Sequence, residues 1–209
     1  MLRLTTKSFR TWTIPWLAVI ASGCVEPAEV FFLPGIDKER FLRVNLRPDV
    51  GDLLRDSNFF ICPNTVRVGS KARITQYAGR EIALLVEGKQ YRMIPHSEPV
   101  FPRDPAGIDG FLAKYFLDSS EFLQVEALGP PELAQAVLEG TPRVGMTKEQ
   151  LYACLGPPLK IGGGRTGLSL TRNEILASDQ WIYGHQIIVL TPIVTTYYFG
   201  DGRLQRIGG

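Results

Sequence analysis

The sequence predicts an α+β fold, in which a small β-rich domain precedes a C-terminal domain of two helices and an antiparallel sheet. Three observations carry this. Across residues 40–98, short alternating apolar runs are separated by Gly-bearing turns. From Gly129 to Pro158, two short apolar-periodic segments each carry a start and a stop signal. From Asp179 onward, runs rich in β-branched and aromatic residues meet at Gly200-Asp201-Gly202.

In the β-rich part, Phe41 to Leu46 alternates, with Leu42, Val44 and Leu46 on one face. A short strand at Asn58 to Ile61 and a turn at Cys62-Pro63-Asn64 follow. Lys71 to Tyr77, Glu81 to Val86 and Gln90 to Ile94 are then joined at Gly79 and Gly88. Such a meander suits a small SH3-like barrel. The Pro-rich, charged stretch from Pro95 to Gly107 reads as a boundary. A helix is expected over Ile108 to Leu117, and "EFLQVEAL" fits either a strand or a helix.

The C-terminal part opens with Pro131 as a first helical residue, where a missing N–H costs nothing. Leu133 and Val137 lie one turn apart, and Gly140 ends the segment. In "VGMTKEQLYACLGPP", Thr147 is a candidate N-cap and Gln150 can complete a capping box. Leu151, Cys154 and Leu155 share a face. Gly156 can take a left-handed C′ conformation, and Pro157 and Pro158 stop the helix. A helix this short must be held by packing, and the sheet that follows is the expected support. Strands are expected at Asp179 to Tyr183, Gln186 to Leu190 and Ile193 to Phe199, with a turn at Gly184-His185. A return strand is expected at Arg203 to Ile207. Pro192 marks an edge, a bulge or a break.

The N-terminus bears on location. Arg3, Lys7 and Arg10 precede a short apolar stretch from Trp12 to Gly23, and no acid occurs before Glu26. This is signal-peptide order, and the stretch is too short to span a bilayer. Ala21-Ser22-Gly23-Cys24 resembles the lipobox of bacterial lipoproteins. The resemblance implies cleavage before Cys24 and lipid attachment, including palmitate, on Cys24. Val25, rather than Asp, after that Cys implies the outer membrane, on its periplasmic side. The expected organisation is a signal peptide over 1–23, a lipidated tether over 24–39, the β-rich domain over 40–98, a linker and helix over 99–128, and the C-terminal domain over 129–209.

Removing the leader leaves 20 of the 23 basic residues against 21 acidic ones, so the net charge moves from +2 to about −1. No nucleic-acid partner is expected. In an oxidising periplasm a Cys62–Cys154 disulfide is permitted, and two separate buried thiols are the alternative. No metal site and no cofactor are expected, because Cys-x-x-Cys is absent and His96 and His185 are far apart.

The C-terminal motifs resemble the SmpA/OmlA (BamE-like) domain family of outer-membrane β-barrel assembly lipoproteins. The matching residues are Gly145-Met146-Thr147 with Gln150, Leu155-Gly156-Pro157, Trp181 and Tyr183, and an aromatic strand turning at Asp201-Gly202. The resemblance implies a non-enzymatic protein-binding module. It also implies envelope proteins as partners, among them the barrel-assembly machinery. The same element order occurs in β-lactamase-inhibitor-like proteins. The preceding domain and the segment from Lys160 to Ser178 depart from the family pattern, so shared fold is a stronger expectation than shared task.

Other candidates have blander readings. "GGGRTG" lacks the Lys-Ser/Thr of a P-loop and reads as a flexible loop. Cys154 has no neighbouring His and reads as packing rather than as a nucleophile. Glu132, Glu139, Glu149 and Asp179 are scattered, and their spacing sets no pair at a catalytic distance. Arg67, Lys71, Arg73, Arg80, Lys89 and Arg92 tilt the β-rich domain towards basic, which motivates an alternative peptidoglycan- or glycan-binding role. Trp181, Tyr183, Tyr197 and Tyr198 are candidates for a sticky partner surface, although alternation sends half of them to the core.

Overall fold

The computed structural model describes residues 37–48, 51–55, 65–78, 80–94, 102–118, 129–185 and 193–209. The expected leader, Cys24, Cys62, the expected strand at 58–61, "EFLQVEAL", His96 and the 186–192 segment lie outside these residues. The fold is mixed α+β, with four helices and two sheets among the described residues.

The first sheet contains β1 (Arg40–Leu42), β2 (Leu53–Arg55), β3 (Lys71–Ala78), β4 (Glu81–Val86), β5 (Lys89–Ile94) and β6 (Phe116–Leu117). Its strand order is β2-β5-β4-β3-β1-β6, and it curls into a half-barrel. Alternation sends Ala72, Ile74, Ile82, Leu84, Val86 and Met93 inward. A register shift in β3 between Ile74 and Gln76 inserts a bulge, which increases local twist and assists the curl. The expected strand at Phe41 to Leu46 is shorter than read. It ends at Leu42, and Leu46 then pairs singly with Val66. Leu42, Val44 and Leu46 are nonetheless all buried.

Helix α1 (Pro105–Tyr115) closes one side of the half-barrel. Asp104 Oδ1 accepts from Gly107 N at 2.8 Å as its N-cap, with Pro105 at the first position. Phe111 and Tyr115 pack at 4.9 Å between ring centroids, and Tyr77 meets Phe111 edge-on at 6.3 Å. The helix stops at Tyr115 instead of Leu117, because Phe116 and Leu117 are extended as β6 and pair with β1.

The second sheet contains β7 (Lys160–Ile161), β8 (Gln180–His185), β9 (Ile193–Gly200) and β10 (Arg203–Gly208). It is antiparallel, in the order β10-β9-β8-β7. Gly184-His185 is not the expected turn, since both residues pair with β9 and β8 continues through them. Asp201 (φ 51°) and Gly202 (φ 72°) form the β9–β10 turn with two positive φ angles, the conformation that favours Asp-Gly in two-residue hairpins.

Helices α2 (Pro131–Leu138) and α3 (Lys148–Leu155) pack together and on the inner face of this sheet. Gln150 to Leu155 are six successive buried residues, so α3 is enclosed on more than the single expected face. Its other flank meets the half-barrel: Asn45 N donates to Ala153 O at 2.8 Å. The buried side chains of both sheets form one continuous cluster.

Helix α4 (Arg172–Ala177) was not expected from the sequence. Its signal was present, because Thr171 and Glu174 form a second capping box. The "GGGRTG" stretch is also not a featureless loop. Ile161 N donates to Arg165 O at 2.9 Å, and Gly167 N donates to Leu159 O at 3.0 Å, so short 3₁₀ turns close it.

Candidate functional site

The motif residues of the C-terminal half converge on the helix–sheet junction. Thr147 Oγ1 accepts from Gln150 N at 3.2 Å, and Gln150 Oε1 accepts from Thr147 N at 2.7 Å, completing the expected box. Just before it, Gly145 N donates to Leu204 O at 2.8 Å and Leu204 N donates to Met146 O at 2.7 Å. Gly145 to Thr147 therefore line the free edge of β10, with the Met146 side chain fully buried. At the other end of α3, Gly156 has φ 78° and ψ −165°. This is not the expected left-handed cap but an extended conformation open essentially to glycine alone, and it sends the chain straight into Pro157.

Trp181 and Tyr183 tie β8 to the helices. Trp181 Nε1 donates to Ile175 O at 3.0 Å, and Tyr183 Oη donates to Gly156 O at 2.7 Å. Trp181 packs against Phe199 at 4.8 Å, and Tyr183 meets Tyr197 edge-on at 5.4 Å. Burial raises the Tyr183 phenol well above its ordinary pKa and pushes Tyr197 up to about 12. Trp181, Tyr183 and Tyr197 are thus core residues, and the expected aromatic partner surface reduces to Tyr198.

Cys154 is a buried free thiol whose pKa burial pushes up to about 12. At neutral pH it has almost no thiolate, so it is a packing group rather than a nucleophile. Cys62, its candidate disulfide partner, and Cys24, the candidate lipid site, lie outside the described residues. No group of three metal-ligating side chains occurs among the described residues. No helix among them is long and apolar enough to cross a membrane.

The basic tilt of the half-barrel is offset by neighbouring acids. Lys71 pairs with Glu39 at 3.2 Å, Lys89 with Asp52 at 2.6 Å and Arg92 with Glu81 at 3.6 Å. Two depressions flank this sheet. One, of about 420 Å³, has mixed charge and is lined by Asp37, Glu39, Lys71, Arg73, Leu85 and Glu87 among others. The second, of about 270 Å³, lies between β1, α1 and β6.

The polar centre that joins the two halves was not found from the sequence. Asn45 is fully buried. Its Nδ2 donates to Val137 O at 2.6 Å and to Cys154 O at 3.2 Å, while its Oδ1 accepts from Val68 N at 2.7 Å. Arg47 Nη2 donates to Gly140 O at 2.7 Å. Both helices α2 and α3 therefore have last-turn carbonyls satisfied by one side chain of the half-barrel.

On the side of the second sheet away from the helices, the register aligns Gln180, Tyr198 and Arg206, then Ile182 and Thr196, with Val194 beyond. All six are partly or largely exposed. Arg206 stacks on the Tyr198 ring at 4.0 Å, and Val194 is 44% exposed. This face combines aliphatic, aromatic and Arg side chains without a carboxylate, a composition typical of interface cores.

No family model, curated protein or solved structure matches this chain.

Proposed function

We propose that the protein is a lipid-anchored outer-membrane lipoprotein that binds other envelope proteins and performs no catalysis. In this reading the C-terminal half has the BamE-like arrangement and the curled sheet is a reduced SH3-like barrel. The observation that carries it is the open face of the second sheet, where Ile182, Val194, Thr196, Tyr198 and Arg206 lie side by side. The order α2, α3 and then, after the intervening β7 and α4, the consecutive strands β8, β9 and β10 supports the family reading, as do the roles of Gly145, Met146, Thr147, Trp181 and Tyr183 at the helix–sheet junction. The anchor rests on Cys24 and its flanking sequence. The ion pairs of Lys71, Lys89 and Arg92 weaken the alternative of a cationic glycan-binding face.

The test is photocrosslinking in intact cells from position 198, with position 89 on the half-barrel as control. A defined envelope protein captured from 198 and not from 89 is expected. Capture from 89 alone, or turnover of a periplasmic substrate by the purified protein, would sink the proposal. In the same cells, Cys24→Ser should abolish palmitate labelling and release the protein from membranes.

A further inference from the structure

The outer face of the second sheet has a charge pattern arranged around its apolar centre. By register, Lys160 of β7 lies beside Ile182 of β8, and Arg206 of β10 lies beside Tyr198 of β9. Leu204 and its partner Phe199 are buried on the helix side, so alternation turns Arg203 to the outer face. Ile182, Val194 and Tyr198 thus occupy the two central strands, and the cations stand on the two flanking ones. Adjacent strands are about 4.8 Å apart, so the flanks lie roughly 14 Å from each other.

The cations on these flanks are uncommitted. Lys160, Arg203 and Arg206 are all exposed, and among the described residues none has an ion pair. Arg203 Nη1 donates to Gly145 O at 3.0 Å, and Arg206 lies over the Tyr198 ring; both contacts leave the positive charge in place. The half-barrel differs, since its Lys38, Lys71, Lys89 and Arg92 each have a carboxylate within 3.6 Å. Two carboxylates stand at the margin of the second sheet, Asp179 before β8 and Asp201 in the β9–β10 turn. Asp179 is held at 2.7 Å by Lys148, which also lies over the inner-face ring of Phe199, so its charge is engaged on the helix side. With Asp201 counted, positive charge still exceeds negative on the outer face.

We propose that the docking segment of the protein partner is acidic: an apolar patch flanked on both sides by Asp or Glu. Its carboxylates meet Arg203 and Arg206 at one flank and Lys160 at the other. The proposal rests on the reading of this face as the protein-binding surface, and adds what that surface selects. An apolar centre with a charged rim is the ordinary anatomy of a protein interface. The rim charges reject wrong partners and speed encounter more than they add affinity. A second copy of this chain is disfavoured, because face-to-face contact would set cations against cations. An anionic membrane is the poorer match, since lipid-binding basic segments carry about four to eight clustered cations, whereas Lys160 here stands apart from Arg203 and Arg206.

The test is photocrosslinking in intact cells with the probe at position 196, which leaves Tyr198 and Arg206 in place, followed by identification of the crosslinked segment. A segment with Asp or Glu on both sides of apolar residues is expected. Arg206→Glu should lower capture at least about tenfold. Lys160→Glu, an exposed change with no ion pair to lose, should lower it about threefold, and Lys89→Glu should leave it unchanged. Changing the acids of the captured protein to Lys should restore capture by either variant. Urea midpoints check that the variants fold; should Arg206→Glu unfold, Lys160→Glu with the reciprocal change carries the test. A captured protein whose crosslinked segment lacks carboxylates, or undiminished capture in both variants, overturns this proposal and leaves the protein-binding reading standing. Capture of a second copy, or of residues 25–36 of the same chain, overturns it too. No protein captured from 196 or 198 removes the reading itself, and the proposal with it. Binding of phosphatidylcholine vesicles containing one-fifth phosphatidylglycerol, lost in Arg206→Glu, would then assign the face to a membrane.

Discussion

The helix pair α2–α3 is finished differently at its two ends. At the start of α3 the cap is local: Thr147 and Gln150 satisfy each other's backbone from three residues apart. At the far ends of both helices the cap is remote. Asn45 reaches Val137 and Cys154 across 92 and 109 positions of sequence, and Arg47 reaches Gly140 across 93. Both devices solve the same problem, since the first four N–H groups and the last four carbonyls of a helix have no partner in the helix. The local device defines where one helix begins. The remote one fixes the helix pair to the half-barrel, and Arg47 also places a cation at the negative end of α2. The remote cap should therefore bear on the cohesion of the whole molecule, and the local one on a single turn.

The largest expected effect follows from removing the remote cap. Asn45→Ala leaves Val68 N–H and the Val137 and Cys154 carbonyls buried without this partner, and should cost about 3–5 kcal/mol in urea denaturation. Asn45→Asp should be worse still at neutral pH, because a carboxylate would face carbonyls at two helix C-termini. A cost below about 1 kcal/mol for Asn45→Ala would erase the distinction between the two ends. Next in size is Tyr183→Phe, which keeps the packing against Tyr197 but deprives the Gly156 carbonyl of its donor. About 1–2 kcal/mol is expected in the same measurement.

The contrast also explains what the sequence made legible. The strands β3, β4, β5 and the β9–β10 hairpin could be read almost to the residue, because alternation and turn chemistry are local properties. The α3 box was readable for the same reason. Helix α4 carries an equally local signal in Thr171 and Glu174, but it lies within the Lys160 to Ser178 segment that departs from the family pattern. Gly184 looked like a turn residue, yet pairing with Val194 carries the strand through it. The two-residue β6 forms because it pairs with β1 and has no periodic signature of its own, whereas the alternation from Phe41 to Leu46 marked β1 but not where its pairing ends. Asn45 was invisible in principle. Nothing near it in sequence distinguishes a buried clasp from a polar residue at the end of a strand. The motif residues Trp181 and Tyr183 could be named, but that they anchor the helices rather than face a partner required the fold.

A smaller effect is expected at the local cap. Thr147→Ala combined with Gln150→Ala removes the box at the start of α3 and should cost about 1–2 kcal/mol. Because Gly145 to Thr147 also line β10, the loss should appear in exchange at Arg203 and Leu204 before it appears in the half-barrel. Equal loosening of β3 to β5 would mean that the local cap too governs the whole molecule.

The smallest effect is a pH dependence confined to α4. Glu174 accepts from the Thr171 backbone and hydroxyl and from Arg165, and these bonds lower its pKa from 4.5 to about 2. A carboxyl depressed in the folded state contributes stability that is fully present above its unfolded pKa and is lost as pH falls through the folded one. Between pH 4.5 and about 2 the start of α4 should therefore loosen as acid is added, while neutral and alkaline pH leave it unchanged. Trp181 is the natural reporter, since its indole N–H bonds to Ile175 within this helix. Its fluorescence should shift with acid in the wild type. In Glu174→Gln the amide keeps its acceptor oxygen but carries no charge, so the shift over that window should vanish. The full acid shift persisting in Glu174→Gln would assign it to carboxylates elsewhere, and the second box would then be a geometric stop without an electrostatic part.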